Sequence, residues 1–201
     1  MTDRAIRKAI VDCGRRLYAR GLVASFDGNV SVRTDDGRVW TTPTGVPKGR
    51  LRPRDLVCTD LEGRVLRGRR APSSEIRMHL RVYRENPEAR AAVHAHPPSA
   101  TAFAAAGLPL DRPVLTEMAA VLGTVPVAPY AAPGTEAVGD SVAPFCRTHR
   151  AVLLANHGAL SWGASLEEAY GRMESLESYA TVLLHLARLG GGRDLPEGTA
   201  P

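Results

Sequence analysis

The chain has 201 residues, 44% apolar and 23% charged, with a formal net charge of +5. That length suits one domain with a substantial core, in the proportions of an ordinary globular protein. No run reaches the ~20 apolar residues of a membrane span. The basic surplus is arginine scattered along the chain, with aromatics at only 5% and not interleaved. Neither a membrane nor nucleic acid is therefore an expected partner, and the charge reads as a solvated surface mildly attractive to anions.

The opening Met-Thr-Asp-Arg-Ala-Ile-Arg-Lys lacks the apolar stretch of a signal peptide. Cys13, Cys58 and Cys146 are odd in number, far apart and without C-x-x-C spacing. They are expected to be reduced packing residues of a cytoplasmic protein.

Residues 4–20 carry Ile6, Ile10, Cys13 and Leu17 at helical spacing, with Gly21 as terminator. Val30–Arg33 and Arg38–Thr42 read as strands joined at Asp35-Asp36-Gly37, and Leu56–Thr59 and Arg64–Leu66 repeat the hairpin pattern. Ser73 or Ser74 can cap a helix running to Asn86, which Pro87 ends. Ala91–His96 alternates as a strand, and Pro98 starts a short helix closed by Gly107. Val125–Ala128 is a short strand, 135–147 a helix, Ala151–Ala155 a buried strand, and Ala159–Trp162 a further stretch of sheet. Ser165-Leu-Glu-Glu168 opens a helix reaching Leu189. Hairpins alternating with helices predict one α+β domain over 1–189, a mostly antiparallel sheet with helices packed on it. Residues 190–201, rich in glycine and proline, are expected to be a flexible tail.

The chemistry concentrates in a few positions. Period two along a strand puts His94 and His96 on one face, a sound way to offer two nitrogens to one metal ion. His157, in Asn156-His157-Gly158 at the end of another apolar run, supplies a third imidazole, although the tripeptide alone also reads as a strand-ending turn. Three imidazoles leave a coordination position for a carboxylate, water or substrate. His79, His149 and His185 lack that setting and read as structural or solvated. Gly28-Asn29 and Thr44-Gly45 offer backbone N–H groups at tight turns, and Ser73-Ser74 adds hydroxyls at a helix start that favours anions. Capping and turn formation account for the same residues equally well.

In order along the chain stand Gly28-Asn29-Val30-Ser31-Val32-Arg33, Thr42-Pro43-Thr44-Gly45, Pro72-Ser73-Ser74-Glu75, His94-Ala-His96, Ala128-Pro-Tyr130 and Asn156-His157-Gly158. Together they resemble the class II aldolase and adducin-head family, most closely the bacterial L-fuculose-phosphate aldolases, from Ile6 to Leu189. The resemblance implies an α/β sandwich around a sheet of about nine strands, and a homotetramer with active sites between subunits. It implies zinc, with manganese or cobalt as alternatives, on His94, His96 and His157. Glu75 matches a carboxylate that first binds the metal and then handles protons. Gly28, Asn29, Thr44, Gly45, Ser73 and Ser74 match the pocket for the substrate's phosphate. The implied reaction is reversible cleavage of a ketose 1-phosphate to dihydroxyacetone phosphate and an aldehyde through an enediolate, whose charge a divalent cation neutralises. L-fuculose 1-phosphate and the 5-deoxy or 5-methylthio pentulose 1-phosphates are the implied substrates.

The chain departs from that pattern in three places. Phe26 replaces a threonine phosphate donor, Glu117 stands where a tyrosine acid is expected before Met118, and the tail has no aromatic to close the site. Glu117 is thus a second candidate for catalysis, or else a surface residue at a helix start. A glutamate before this methionine also resembles methylthioribulose-1-phosphate dehydratases, which makes a dehydratase the first alternative. A non-catalytic, adducin-like association domain is the second.

Overall fold

The computed structural model describes residues 1–196 and Gly198. Its helices are α1 (Asp3–Ala19), α2 (Ile76–Glu85), α3 (Pro98–Ala106), α4 (Thr116–Val121), α5 (Glu136–Val142) and α6 (Leu166–Arg188). Its strands are β1 (Asn29–Arg33), β2 (Val39–Thr41), β3 (Val57–Thr59), β4 (Val65–Arg67), β5 (Ala91–Ala95), β6 (Val127–Ala128), β7 (Ala151–Leu154) and β8 (Gly158–Gly163). They form one sheet in the order β4-β3-β2-β1-β5-β8-β7-β6, antiparallel except for the β6–β7 pair.

Each sheet face is covered. On one side Val30, Val93, Ala95 and Leu153 pack with Ile10 and Leu17 of α1 and Met173 and Leu176 of α6. On the other, Ala92, Val152, Leu160 and Trp162 pack with Met78 and Val82 of α2 and Val138 of α5. Alternation along the strands produces this three-layer arrangement, since successive side chains serve opposite cores. It also aims His94 and Asn29 toward α2, because Asn29 pairs with His94 across the β1–β5 ladder.

The sheet among the described residues has eight strands, one fewer than the nine expected. The expected helix 135–147 divides into α5 and a 3-10 turn at Ala143–Phe145, because Pro144 cannot donate to the preceding helical turn. The start of α2 also differs from the predicted serine cap. Glu75 is its N-cap and makes no side-chain capping bond, while Ser73 Oγ accepts from the Glu75 N–H at 3.3 Å. At α6 the Ser165 side chain accepts from Glu168 N–H as expected, but Glu168 reaches back to Ala164 N–H. Of the expected tail, Leu195 N–H donates to the Pro113 carbonyl and Arg112 pairs with Asp194. Residues 197 and 199–201 of that tail lie outside the described residues. None of the described helices is long and apolar enough to cross a membrane, and the three cysteines are buried free thiols.

Candidate metal centre and active site

His94 sits near the end of β5, His96 just beyond it, and His157 immediately before β8. The β5–β8 pairing, Ala95 opposite Ala159, is what draws the two segments together. Asn156 turns the chain with a left-handed φ of 55°, a conformation asparagine tolerates better than most residues. The three ring centroids lie 4.8–5.0 Å apart. One nitrogen from each ring falls within 4.8 Å of the others, a group that could hold a metal ion.

Glu75, at the start of α2, closes the cluster. Its Oε2 lies 3.3 Å from His94 Nε2 and its Oε1 3.2 Å from His157 Nε2. Asn29 Nδ2 donates to Oε2 at 2.9 Å and so orients the carboxylate. Burial opposes ionisation of Glu75, but the charge of His94 and hydrogen bonds from His157 and His94 hold its carboxyl well below the usual range. His94 shows the reciprocal behaviour: burial disfavours its charge, and Glu75 beside it more than compensates. His96 is pushed down to about 4, by burial first and then by the charge of His94.

The outer nitrogens decide which atoms face inward. His94 Nδ1 lies 2.8 Å from the Ala159 carbonyl, and His96 Nδ1 lies 3.2 Å from Asp27 Oδ2. Both partners can only accept, so both Nδ1 atoms carry the proton and both Nε2 atoms turn into the site. Those Nε2 atoms converge to 3.1 Å. Nitrogens that close, beside a carboxylate, require positive charge between them. Nitrogen and oxygen bonds of about 2.0–2.1 Å to a tetrahedral ion would put its ligands about 3.3 Å apart, close to the 3.1 Å between His94 and His96 Nε2, while Glu75 turns one oxygen to His94 and the other to His157 at 3.3 and 3.2 Å. Asn29 Oδ1, beside the carboxylate it orients, is buried without a hydrogen bond among the described residues. This set of three imidazoles and one carboxylate suits a divalent cation.

The residues expected to hold phosphate are brought next to one another. Thr42 N–H donates to the Val30 carbonyl and Ser73 N–H to the Thr42 carbonyl, stitching the segments at 28–30, 42–45 and 71–75 side by side. Asn29 and Ser73 are buried, whereas Thr44, Gly45 and Ser74 are exposed. Gly28 and Gly45 both take left-handed φ, 68° and 69°. Glu117 is not brought to this site: it is exposed, in the first turn of α4. His79 is fully buried and bonds Ser31 Oγ through Nδ1, while His149 lies against Phe145.

Two residues of this region were not legible as functional. Asp27 touches His96, and its only sequence signal is its place before Gly28-Asn29. Lys48 is 1% exposed, and its ammonium donates to the Phe26 carbonyl at 2.9 Å and the Val46 carbonyl at 3.1 Å. Burial lowers its pKa, and the ammonium straps together the two loops that carry Gly28-Asn29 and Thr44-Gly45.

Known proteins resemble this chain along most of its length. A 3-oxo-tetronate 4-phosphate decarboxylase of Haemophilus influenzae is 38% identical over 92% of this chain and 90% of its own. A 5-deoxy-D-ribulose 1-phosphate aldolase of Bacillus thuringiensis is 34% identical over 95% of this chain and 90% of its own. The solved structure of an L-fuculose 1-phosphate aldolase superposes with a TM-score of 0.91 at 33% identity, covering 98% of this chain and 93% of that one. The family described as Class II Aldolase and Adducin N-terminal domain matches residues 8–184. The chain therefore belongs to the class II aldolase and adducin family, among its enzymes.

Proposed function

We propose that this chain is a metal-dependent lyase that breaks the C3–C4 bond of a ketose 1-phosphate, one carbon removed from the C2 carbonyl. The products are dihydroxyacetone phosphate and an aldehyde. The observation that carries the reading is the convergence of His94, His96 and His157 on Glu75. In this reading those four residues hold the cation, zinc by preference, with manganese and cobalt suited to the same donors. When bound, the cation neutralises the negative charge that builds on the substrate's carbonyl oxygen as the bond breaks.

The chain's own groups do the rest. Glu75, held by Asn29 and poised at the centre, takes or returns a proton at the substrate's reacting oxygen and carbon, a step worth roughly 10²–10⁴ in rate. The loops at Gly28-Asn29, Thr44-Gly45 and Ser73-Ser74 receive the phosphate through backbone and hydroxyl donors. The buried Lys48 ammonium adds positive charge beneath two of these loops. L-fuculose 1-phosphate and the 5-deoxy or 5-methylthio pentulose 1-phosphates are the substrates we assign. A homotetramer in the cytoplasm belongs to the same proposal, with Glu117 presented by a neighbouring copy as a further acid–base group. Incubating the zinc-, manganese- and cobalt-loaded protein with each sugar phosphate, and coupling to detection of dihydroxyacetone phosphate, tests the reading. No release from any of them rejects it.

A second reading is favoured by the 38% identity to a 3-oxo-tetronate 4-phosphate decarboxylase. Losing carbon dioxide from a 3-oxo acid leaves the same electron pair on the carbon beside the carbonyl. It needs one proton delivered to carbon and none removed from a hydroxyl, a task that Glu75, beside His94 and His157, can serve alone. Carbon dioxide evolved with dihydroxyacetone phosphate, and no aldehyde, selects this reading over the aldolase.

A further inference from the structure

Of the three imidazoles, His96 has the least support from the sheet. His94 is fully buried within β5, whereas His96 follows the end of the strand with its side chain 26% exposed. Two neighbours confine its ring. On one side is Gly158, where an added Cβ would lie 2.5 Å from His96 Cδ2, so the ring packs directly on backbone. On the Nδ1 side is the Asp27 carboxylate, 3.2 Å away.

The loop at 24–28 is built to deliver that carboxylate. Ala24 N–H donates to Asp27 Oδ1 at 2.6 Å, and Asp27 N–H donates to the Ala24 carbonyl at 3.1 Å, so the side chain closes its own turn. Gly28 follows with φ 68°, and an added Cβ there would sit 2.8 Å from the His94 carbonyl oxygen. Only glycine lets the loop press this closely on β5. Lys48 fastens the same loop from below through the Phe26 carbonyl.

We propose that Asp27 is a positioning residue of the metal centre. Its second oxygen holds the His96 ring in the Nδ1–H form and turns Nε2 toward His94 and Glu75. A carboxylate accepts at both oxygens, so one residue closes the turn and orients the imidazole at once. The proposal rests on the metal-binding reading above, and the experiment separates the two.

Zinc affinity is measured by chelator competition for wild type, Asp27→Asn and Asp27→Ala, beside metal-free melting curves and the visible spectrum of each cobalt-loaded form. Asparagine has one accepting oxygen where aspartate has two; with that oxygen closing the turn to Ala24, its amide nitrogen meets His96 Nδ1 as a donor and no longer holds the Nδ1–H form. The expected result is zinc binding about 10–100-fold weaker in both variants with an altered cobalt spectrum. Should Asp27→Ala fail to fold, Asp27→Asn carries the test. A variant that binds zinc within about twofold of wild type, with an unchanged cobalt spectrum, overturns the proposal whatever its melting temperature. Wild-type protein that binds no metal overturns the metal-binding reading, and this proposal with it.

Discussion

Gly158→Ala separates the two accounts of Asn156-His157-Gly158, a mere turn or a close approach that shapes the site. The new Cβ would meet His96 Cδ2 at 2.5 Å and the Ala95 carbonyl oxygen at 2.6 Å. Contacts under 3.0 Å force something to shift, and neither neighbour shifts freely. Ala95 belongs to β5, hydrogen-bonded to β1 on one side and β8 on the other. The His96 ring is held between Gly158, the Asp27 carboxylate and His94, so yielding to a methyl disturbs its contacts in the site. Overpacking of this kind costs about 1–3 kcal/mol, or roughly 2–12 °C in melting temperature for a domain of this size. Displacing the ring should also weaken zinc binding by about 10–100-fold, as disturbing a ligand's support does. Melting curves of the metal-free protein and chelator-competition titrations read the two effects separately. A variant that melts with wild type and binds zinc as tightly would refute the close-approach account, leaving Gly158 as an ordinary turn residue.

His157→Ala is expected to lose metal and activity together while His149→Ala, whose ring lies 5.6 Å from that of Phe145, keeps both; elemental analysis decides, and metal at wild-type affinity in His157→Ala removes it from the ligand set. His79 is buried, which lowers its pKa from 6.5 to about 3, so acid protonates the unfolded chain first and stability falls as pH drops below 6.5. That contribution is about 2 kcal/mol at pH 5, and urea melts of metal-free His79→Leu at pH 7 and 5 should show a smaller acid loss by that amount, the Ser31–Tyr83 bond at 2.6 Å remaining. An equal loss in variant and wild type refutes it. Glu117→Gln should leave metal content and melting temperature unchanged, since the side chain is exposed, and lower turnover; unchanged turnover makes it a bystander.

The elements whose signal lies within one segment were legible in the sequence. The apolar spacing of α1, the alternation of β5 and the serine cap of α6 each depend on neighbours a few residues away, and the structure has them at nearly the predicted bounds. What could not be read locally depends on pairing. β6 was expected over Val125–Ala128 and is a strand at Val127–Ala128, the two residues that pair with Leu153 and Leu154 of the parallel β7, so its extent is set by the partner. The serines at 73 and 74 look like helix caps in isolation. Across the fold, Ser73 N–H is already committed to the Thr42 carbonyl, and the helix begins later, at Ile76.

The site divides along the same line. Histidines spaced for one face, and a glutamate at a helix start, announce themselves by residue type, and the structure brings all four together. The groups that hold them in place do not. The partner of His94 is a backbone carbonyl, which any residue at 159 would supply, so no side-chain pattern could have marked it. Asp27 lies 69 residues from His96 in sequence, and its contact exists only because Gly28 lets the preceding loop touch the strand. Gly28 itself was read as a phosphate donor for its place in a motif, yet its distance to the His94 carbonyl shows a second requirement that is steric. One glycine thus stands between two demands, a backbone N–H free for an anion and a surface bare enough for Asp27 to reach the imidazole. A substitution at Gly28 would disturb both, whereas Asp27→Asn disturbs only the second, and for that reason the aspartate is the sharper probe of how the metal centre is held.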